Sequence, residues 1–195
     1  MSTRRTAMLG LTALAAVIGG APAAHAAINP FGDYYENVAR AAAQNDAALV
    51  RQLVGSGEGN PDMVDDQSRT GLHYAAMNGN LQILAILIKA KAKLNIEDKL
   101  GDTPLHLAAE RDQTEAAELL LDVGAEVDPQ NKDGMTPLMI AASRGNLELV
   151  RALLAKGASV TKADYTGRDA LGWAQDGHRP AVVKAITRAQ AGNGS

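Results

Sequence analysis

Apolar positions along this chain fall into short blocks that recur at near-constant intervals, separated by polar or glycine-containing stretches. The blocks at 81–88, 114–121 and 147–154 place apolar residues three and four apart, the spacing of one helix face. Each follows a shorter alanine-rich block, at 70–76, 103–109 and 136–142. This pattern predicts pairs of helices joined by tight turns. One apolar stretch is different in kind: residues 7–20 carry no charge and follow Arg4-Arg5. Ala21-Pro22-Ala23-Ala24-His25-Ala26 then closes it with a small-x-small pattern, the layout of a cleaved secretory signal with its cut after Ala26. A membrane span needs about 20 apolar residues, and this run is shorter and broken by Gly10, Gly19 and Gly20. Thr3-Arg4-Arg5-Thr6-Ala7-Met8 also has the look of a twin-arginine signal, so general and twin-arginine export both stay open.

The recurring blocks are in phase. Thr70-Gly71-Leu72-His73-Tyr74-Ala75-Ala76, Thr103-Pro104-Leu105-His106-Leu107-Ala108-Ala109 and Thr136-Pro137-Leu138-Met139-Ile140-Ala141-Ala142 begin 33 residues apart. Asp169-Ala170-Leu171-Gly172-Trp173-Ala174 follows after another 33. Threonine is a helix N-cap type, and Pro104 and Pro137 stand where a missing N–H costs nothing. Paired alanines allow close helix approach. Gly124 and Gly157 suit a left-handed helix terminator, and Gly101, Gly134 and Gly167 suit a tight turn before the next threonine.

Period and motif together resemble the ankyrin repeat, with its Thr-Pro-Leu-His-x-Ala core, over residues 34–189. The resemblance implies an all-α solenoid of helix-turn-helix units joined by β-hairpin-like loops, about five repeats including degenerate caps. The expected layout is a signal peptide at 1–26, a lead-in at 27–33, and an N-terminal capping repeat at 34–65. Repeats at 66–98, 99–131 and 132–164 follow, then a C-terminal capping repeat at 165–189 and a frayed tail at 190–195. The first repeat is one residue longer than its successors, an excess assigned to the loop 55–61. The last has Gly177 where one more residue is expected, as if shortened by one. Gly71 for proline and Lys91 for glycine make the second repeat the expected least regular one. Asp112, at the register of Gly79 and Gly145, predicts a strained turn.

Candidate chemistry is sparse. The absence of cysteine excludes disulfides, thiolate nucleophiles and thiolate metal sites. His73 and His106 sit at the motif position that the resemblance assigns to hydrogen-bonding between repeats, and His178 is expected at the surface. No histidine pair has zinc spacing. Asn131-Lys132-Asp133-Gly134 resembles the middle of a calcium loop, but Pro129 and Ile140 occupy ligand positions. Residues 55–59 lack the strand and lysine of a phosphate loop. Trp173, at the register of Tyr74, Leu107 and Ile140, reads as packing. No catalytic residue, metal or cofactor is expected.

Removing residues 1–26 takes away Arg4 and Arg5 and no acid, moving the formal charge from −3 to −5. Such a chain is no natural binder of nucleic acid or anionic membrane. The resemblance implies binding through fingertips and first-helix faces, which form a concave groove. Its positions here are Asp66, Gln67, Arg69, Met77 and Asn78, then Lys99, Leu100, Asp102, Glu110 and Arg111. Lys132, Asp133, Met135, Ser143 and Arg144 follow, with Tyr165 and Arg168 in the last repeat. The excess acid lies elsewhere, at Glu115, Glu118, Asp122, Glu126 and Asp128. Arg69, Arg111, Arg144 and Arg168, with Leu100 and Met135 expected exposed and Tyr165 beside them, point to a protein partner with an acidic surface. The expected product is a monomeric periplasmic interaction module without enzymatic activity. The chain resembles small exported bacterial ankyrin proteins, some of which accompany catalases and support oxidative-stress defence, while others resemble immunity proteins that neutralise periplasm-acting toxins. Ligand carriage or catalysis in a groove pocket is the alternative class.

Overall fold

Three helices begin in the same way, because the same residues begin them. Thr70, Thr103 and Thr136 are extended at φ −85°, −85° and −97°, and each precedes a helix: α3 (Gly71–Asn78), α5 (Pro104–Glu110) and α7 (Pro137–Arg144). The partner helices α4 (Leu81–Lys89) and α8 (Leu147–Ala155) are capped by Asn80 and Asn146, whose Oδ1 atoms accept the backbone N–H of Ile83 and Leu149 at 3.0 Å. The helix α6 (Thr114–Asp122) starts after Gln113 without a side-chain cap. The terminal pairs are α1 (Val38–Ala43) with α2 (Ala47–Gly55), and α9 (Ala170–Asp176) with α10 (Pro180–Gly192). The computed structural model describes residues 37–57 and 59–192, which lie within one unit, Tyr34–Ser195. The expected signal peptide and lead-in fall outside the described residues.

The ten described helices make two rows. In the inner row α1, α3, α5, α7 and α9 pack in that order, and in the outer row α2, α4, α6, α8 and α10 do the same. Ala41-Ala42, Ala75-Ala76, Ala108-Ala109 and Ala141-Ala142 are all 1% exposed or less, which lets inner helices approach closely. Leu72, Leu105 and Leu138 fill the same register between repeats and are equally buried. Replacing any of them with alanine costs about 2–5 kcal/mol. The architecture is the expected all-α solenoid of helix-turn-helix repeats; β structure among the described residues is one isolated bridge, Ala163 with Asp169.

The histidines pin neighbouring repeats. The Thr70 N–H donates to His73 Nδ1 at 3.0 Å, so the proton is on Nε2, which donates to the Asp102 carbonyl 29 residues later at 3.0 Å. His106 repeats the arrangement between the Thr103 N–H (3.1 Å) and the Met135 carbonyl (3.0 Å). Both rings are fully buried, and burial pushes both imidazoles below their ordinary pKa, which holds them neutral. Met139, at the same register in the next repeat, leaves only a 3.5 Å contact from the Thr136 N–H to its sulfur.

Three expectations are corrected. The second repeat is as regular as the fourth: α3 and α7 have 8 residues each, α4 and α8 have 9. Lys91 simply takes the left-handed turn at φ 63°, at a cost of about 1 kcal/mol that the burial of Ile83, Leu84 and Leu87 outweighs. The last repeat is not shortened, because His178 (φ 53°), and not Gly177, occupies the left-handed position 33 residues after Gly145. Gly177 is glycine for lack of room, since a Cβ there would lie 3.0 Å from the Ser143 carbonyl oxygen. Finally, α10 continues through residues 190–192, where fraying was expected, with Ala189 packed on the core; residues 193–195 of the expected tail lie outside the described residues. Asp112 does adopt φ 57°, the turn expected there, and the additional residue of the first repeat lies between Gly57 and Asp62.

Candidate binding face

Each finger between helix pairs is closed by one side chain. Asp65, Asp98, Asn131 and Asp164 recur every 33 residues, and their Oδ1 atoms each accept backbone N–H groups two and four residues ahead at 2.7–3.1 Å. This frees the finger to make one backbone bond to its neighbour. The N–H groups of Lys99, Lys132 and Tyr165 donate to the carbonyls of Gln67, Leu100 and Asp133 at 2.9, 3.0 and 3.1 Å. Gly101 and Gly134 admit that contact: a Cβ on either would lie 2.8 Å from the next finger's backbone nitrogen. The fingers therefore form a continuous edge, with Leu100 60% and Tyr165 75% exposed at their tips.

The remaining atoms of those four side chains decide which groups stay free. Asp65 accepts the Tyr74 hydroxyl, and Asp164 Oδ2 accepts the Trp173 indole N–H at 2.9 Å. Burial alone would raise the Asp164 carboxyl, but the bonds from Thr166, Arg168 and Trp173 outweigh it and hold its pKa at about 2. Asp98 has Leu107 at the ring position and instead pairs with Arg69 Nε at 2.9 Å; its side chain is 1% exposed. Asn131 donates Nδ2 to Asp102 Oδ1 at 2.8 Å.

This sorts the expected contact residues. Arg69 and Arg168 are engaged: Arg69 with Asp98, and Arg168 with Asp176 at 3.2 Å and over the Trp173 ring, 4.5 Å from its centroid. Asp102 is buried at 8% exposure, so it serves the fingers and is not an open surface position; burial pushes its carboxyl up. Met135 is half-buried against the core, where exposure was expected. Lys99, Leu100, Asn78, Arg111, Arg144 and Tyr165 are exposed, as are Asp66, Gln67, Lys132 and Asp133, while Met77, Glu110 and Ser143 are half-buried. Arg111 has only a loose 3.9 Å approach to Glu110, and Arg144 has no side-chain partner among the described residues. Trp173 is half-buried and packs against the core, as its register implied.

Two arrangements escaped sequence reasoning. Asp62, Asn95 and Asp128, again 33 apart, accept the N–H of Lys93, Glu126 and Ser159 in the following repeat at 2.7, 3.0 and 2.8 Å. Their common spacing was the available signal. Arg179 was missed because it lies outside the motif; it crosses Gly145 and donates from Nε to the Ser143 carbonyl at 3.4 Å. A shallow depression on α6 and α8 is lined by Glu118, Leu147, Glu148, Arg151 and Ala152, and neither Tyr165 nor Trp173 is among its lining residues. No group of three or more metal-ligating side chains occurs among the described residues, and no described helix is long and apolar enough to cross a membrane.

The family model described as ankyrin repeats (3 copies) matches residues 38–131 and 118–192. No curated protein matches the chain.

Proposed function

The chain belongs to the ankyrin-repeat family, and we propose that it is a periplasmic module that holds a protein partner against its fingers and inner helix ends. Ankyrin repeats are in general protein–protein interaction modules, typically without enzymatic activity. The observation that carries the reading is the division of labour among the polar groups. Arg69, Asp98 and Asp164 are engaged in holding the fingers and Arg168 packs on α9, whereas the side chains of Arg111, Arg144, Leu100 and Tyr165 are exposed. Arginine and large apolar or aromatic side chains are the residues that dominate binding energies at interfaces. A partner with an acidic surface fits the two free guanidinium groups. Export rests on the signal-like residues 1–26, and within the periplasm the role is stress defence or toxin neutralisation.

The test is an affinity pull-down from periplasmic extract with the wild-type chain beside the double variant Arg111→Glu/Arg144→Glu. A protein retained by the first and lost by the second supports the reading, and its identity as a stress enzyme or a toxin assigns the role. Equal recovery on both baits removes this face from consideration. Fractionation of expressing cells tests the compartment: accumulation of the uncleaved chain in the cytoplasm contradicts export.

A further inference from the structure

The inner helices end on one rim, and the charge along that rim changes from one end to the other. In the second repeat the rim carries Asn78, and Gln113 lies over the turn at Gly79. In the third and fourth it carries Arg111 and Arg144 at the same register. The fifth repeat contributes Arg179, whose side chain reaches back over Gly145 and is tied by Nε to the carbonyl of Ser143, the residue before Arg144. The Arg179 guanidinium is thus tied at the end of α7, the helix that Arg144 closes. Two neighbouring acids are engaged elsewhere, Asp176 by Arg168 and Asp112 by Asn146 Nδ2 at 3.5 Å, while Glu110 stands 3.9 Å from Arg111 itself.

We propose that Arg111, Arg144 and Arg179 form one guanidinium row along the turn rim of the third to fifth repeats, and that this row receives an extended acidic segment of the partner. The proposal rests on the binding face inferred above and adds Arg179 to it. Packed helices lie about 8–10 Å apart, so Arg111 at the end of α5 and the Arg144–Arg179 pair at the end of α7 stand about one such interval apart. A polyproline-II segment advances about 9 Å per turn and returns to the same face every third residue. Two acidic residues three positions apart in such a segment therefore reach Arg111 and the Arg144–Arg179 pair. A dense polyanion fits less well, because Glu110, Asp112 and Asp176 are interspersed with the arginines and the chain as a whole is negative, at −3.

The probe is a fluorescein-labelled peptide of repeated Glu-Pro-Pro, with Lys-Pro-Pro and Gln-Pro-Pro peptides as controls, followed by anisotropy with the full chain. Saturable binding of the glutamate peptide alone, weakened by salt as exposed charge pairs are, is the expected result. Arg144→Gln and Arg179→Gln should each weaken it about two- to fivefold, the range of single exposed ion pairs, whereas Arg51→Gln on the outer helix α2 should leave it unchanged. Circular dichroism of each variant checks that the fold is retained. An unaltered affinity for Arg179→Gln, a larger effect of Arg51→Gln, or no saturable binding by the wild type overturns the row. Tighter binding of inorganic polyphosphate with the same variant losses overturns the peptide assignment. A partner bound by Arg179→Gln with the affinity of the wild type but lost by Arg111→Glu/Arg144→Glu refutes the row and leaves the binding face standing.

Discussion

The histidine pegs allow the cohesion between repeats to be measured with a substitution that the protein already uses. His106→Met places at one register the residue found at Met139, which is fully buried at the equivalent position, so volume and packing are nearly preserved. What is lost is hydrogen bonding. The Nε2 bond to the Met135 carbonyl disappears, at about 1 kcal/mol, and that carbonyl is not orphaned because it keeps the Asn131 N–H at 3.1 Å. The Thr103 N–H, in a residue 2% exposed, exchanges a nitrogen acceptor at 3.1 Å for a sulfur of the kind that Thr136 meets at 3.5 Å. That exchange costs about 1 kcal/mol more. A loss of about 2 kcal/mol lowers Tm by about 4–8 °C in a domain of this size.

Urea denaturation followed by circular dichroism reads the loss as a lower midpoint at unchanged slope. The pH dependence adds a sign. His106 titrates below its ordinary value in the folded chain, so the unfolded chain binds more protons and the wild type loses stability as pH falls below about 6.5. His106→Met lacks that loss, and His73 contributes equally to both proteins. The gap between them should therefore narrow from pH 7.5 to about pH 5. The reverse substitution, Met139→His, should raise the midpoint, because its Nε2 faces the register of the Arg168 carbonyl, which accepts the Asp164 N–H at 2.9 Å. Equal midpoints for wild type and His106→Met at pH 7.5, or a gap constant with pH, would refute the assignment of the pegs.

Two further outcomes follow from local geometry. Lys91→Gly should stabilise the chain by about 0.5–1 kcal/mol, because an exposed residue at φ 63° gains from losing its Cβ; a lower urea midpoint would contradict this. Trp173→Phe removes the indole donor from Asp164, and with it part of what holds that carboxyl at about 2. A depressed carboxyl stabilises above its unfolded pKa and loses that contribution as pH falls from about 3.8 towards 2. The variant should therefore show a shallower acid dependence across that window in thermal melts; parallel curves would count against the bond.

Much of this protein is legible in one dimension, since a repeat shows its own plan several times. The 33-residue phase of Thr70, Thr103 and Thr136, the alanine pairs and the apolar outer-helix blocks determined the solenoid, the helix starts and the positions of the fingers. These depend on local capping and on burial against an identical neighbour, both of which the period encodes. Where a single residue was judged by its type, the reading went astray: Gly177 appeared to be the turn residue, and Lys91 appeared disruptive. A left-handed turn costs so little that packing on either side decides who occupies it.

The binding face divides in the same way. Register alone placed Arg69, Arg111, Arg144 and Arg168 on one surface, and it could not distinguish those that hold the fold from those that are free. That choice depends on which side chain stands across from each in the next repeat. Arg69 is captured because Leu107 leaves the Asp98 carboxylate without a ring partner, and Arg168 because Trp173 and Asp176 flank it. Arg179 joins the surface only because Gly145 leaves room for it. The sequence by itself determined the period, the helices and the candidate positions, because these follow from short-range rules repeated. Only the tertiary structure decided which charges were spent between repeats and which remained for a partner, because pairing across a repeat boundary depends on shape and distance that no single repeat contains.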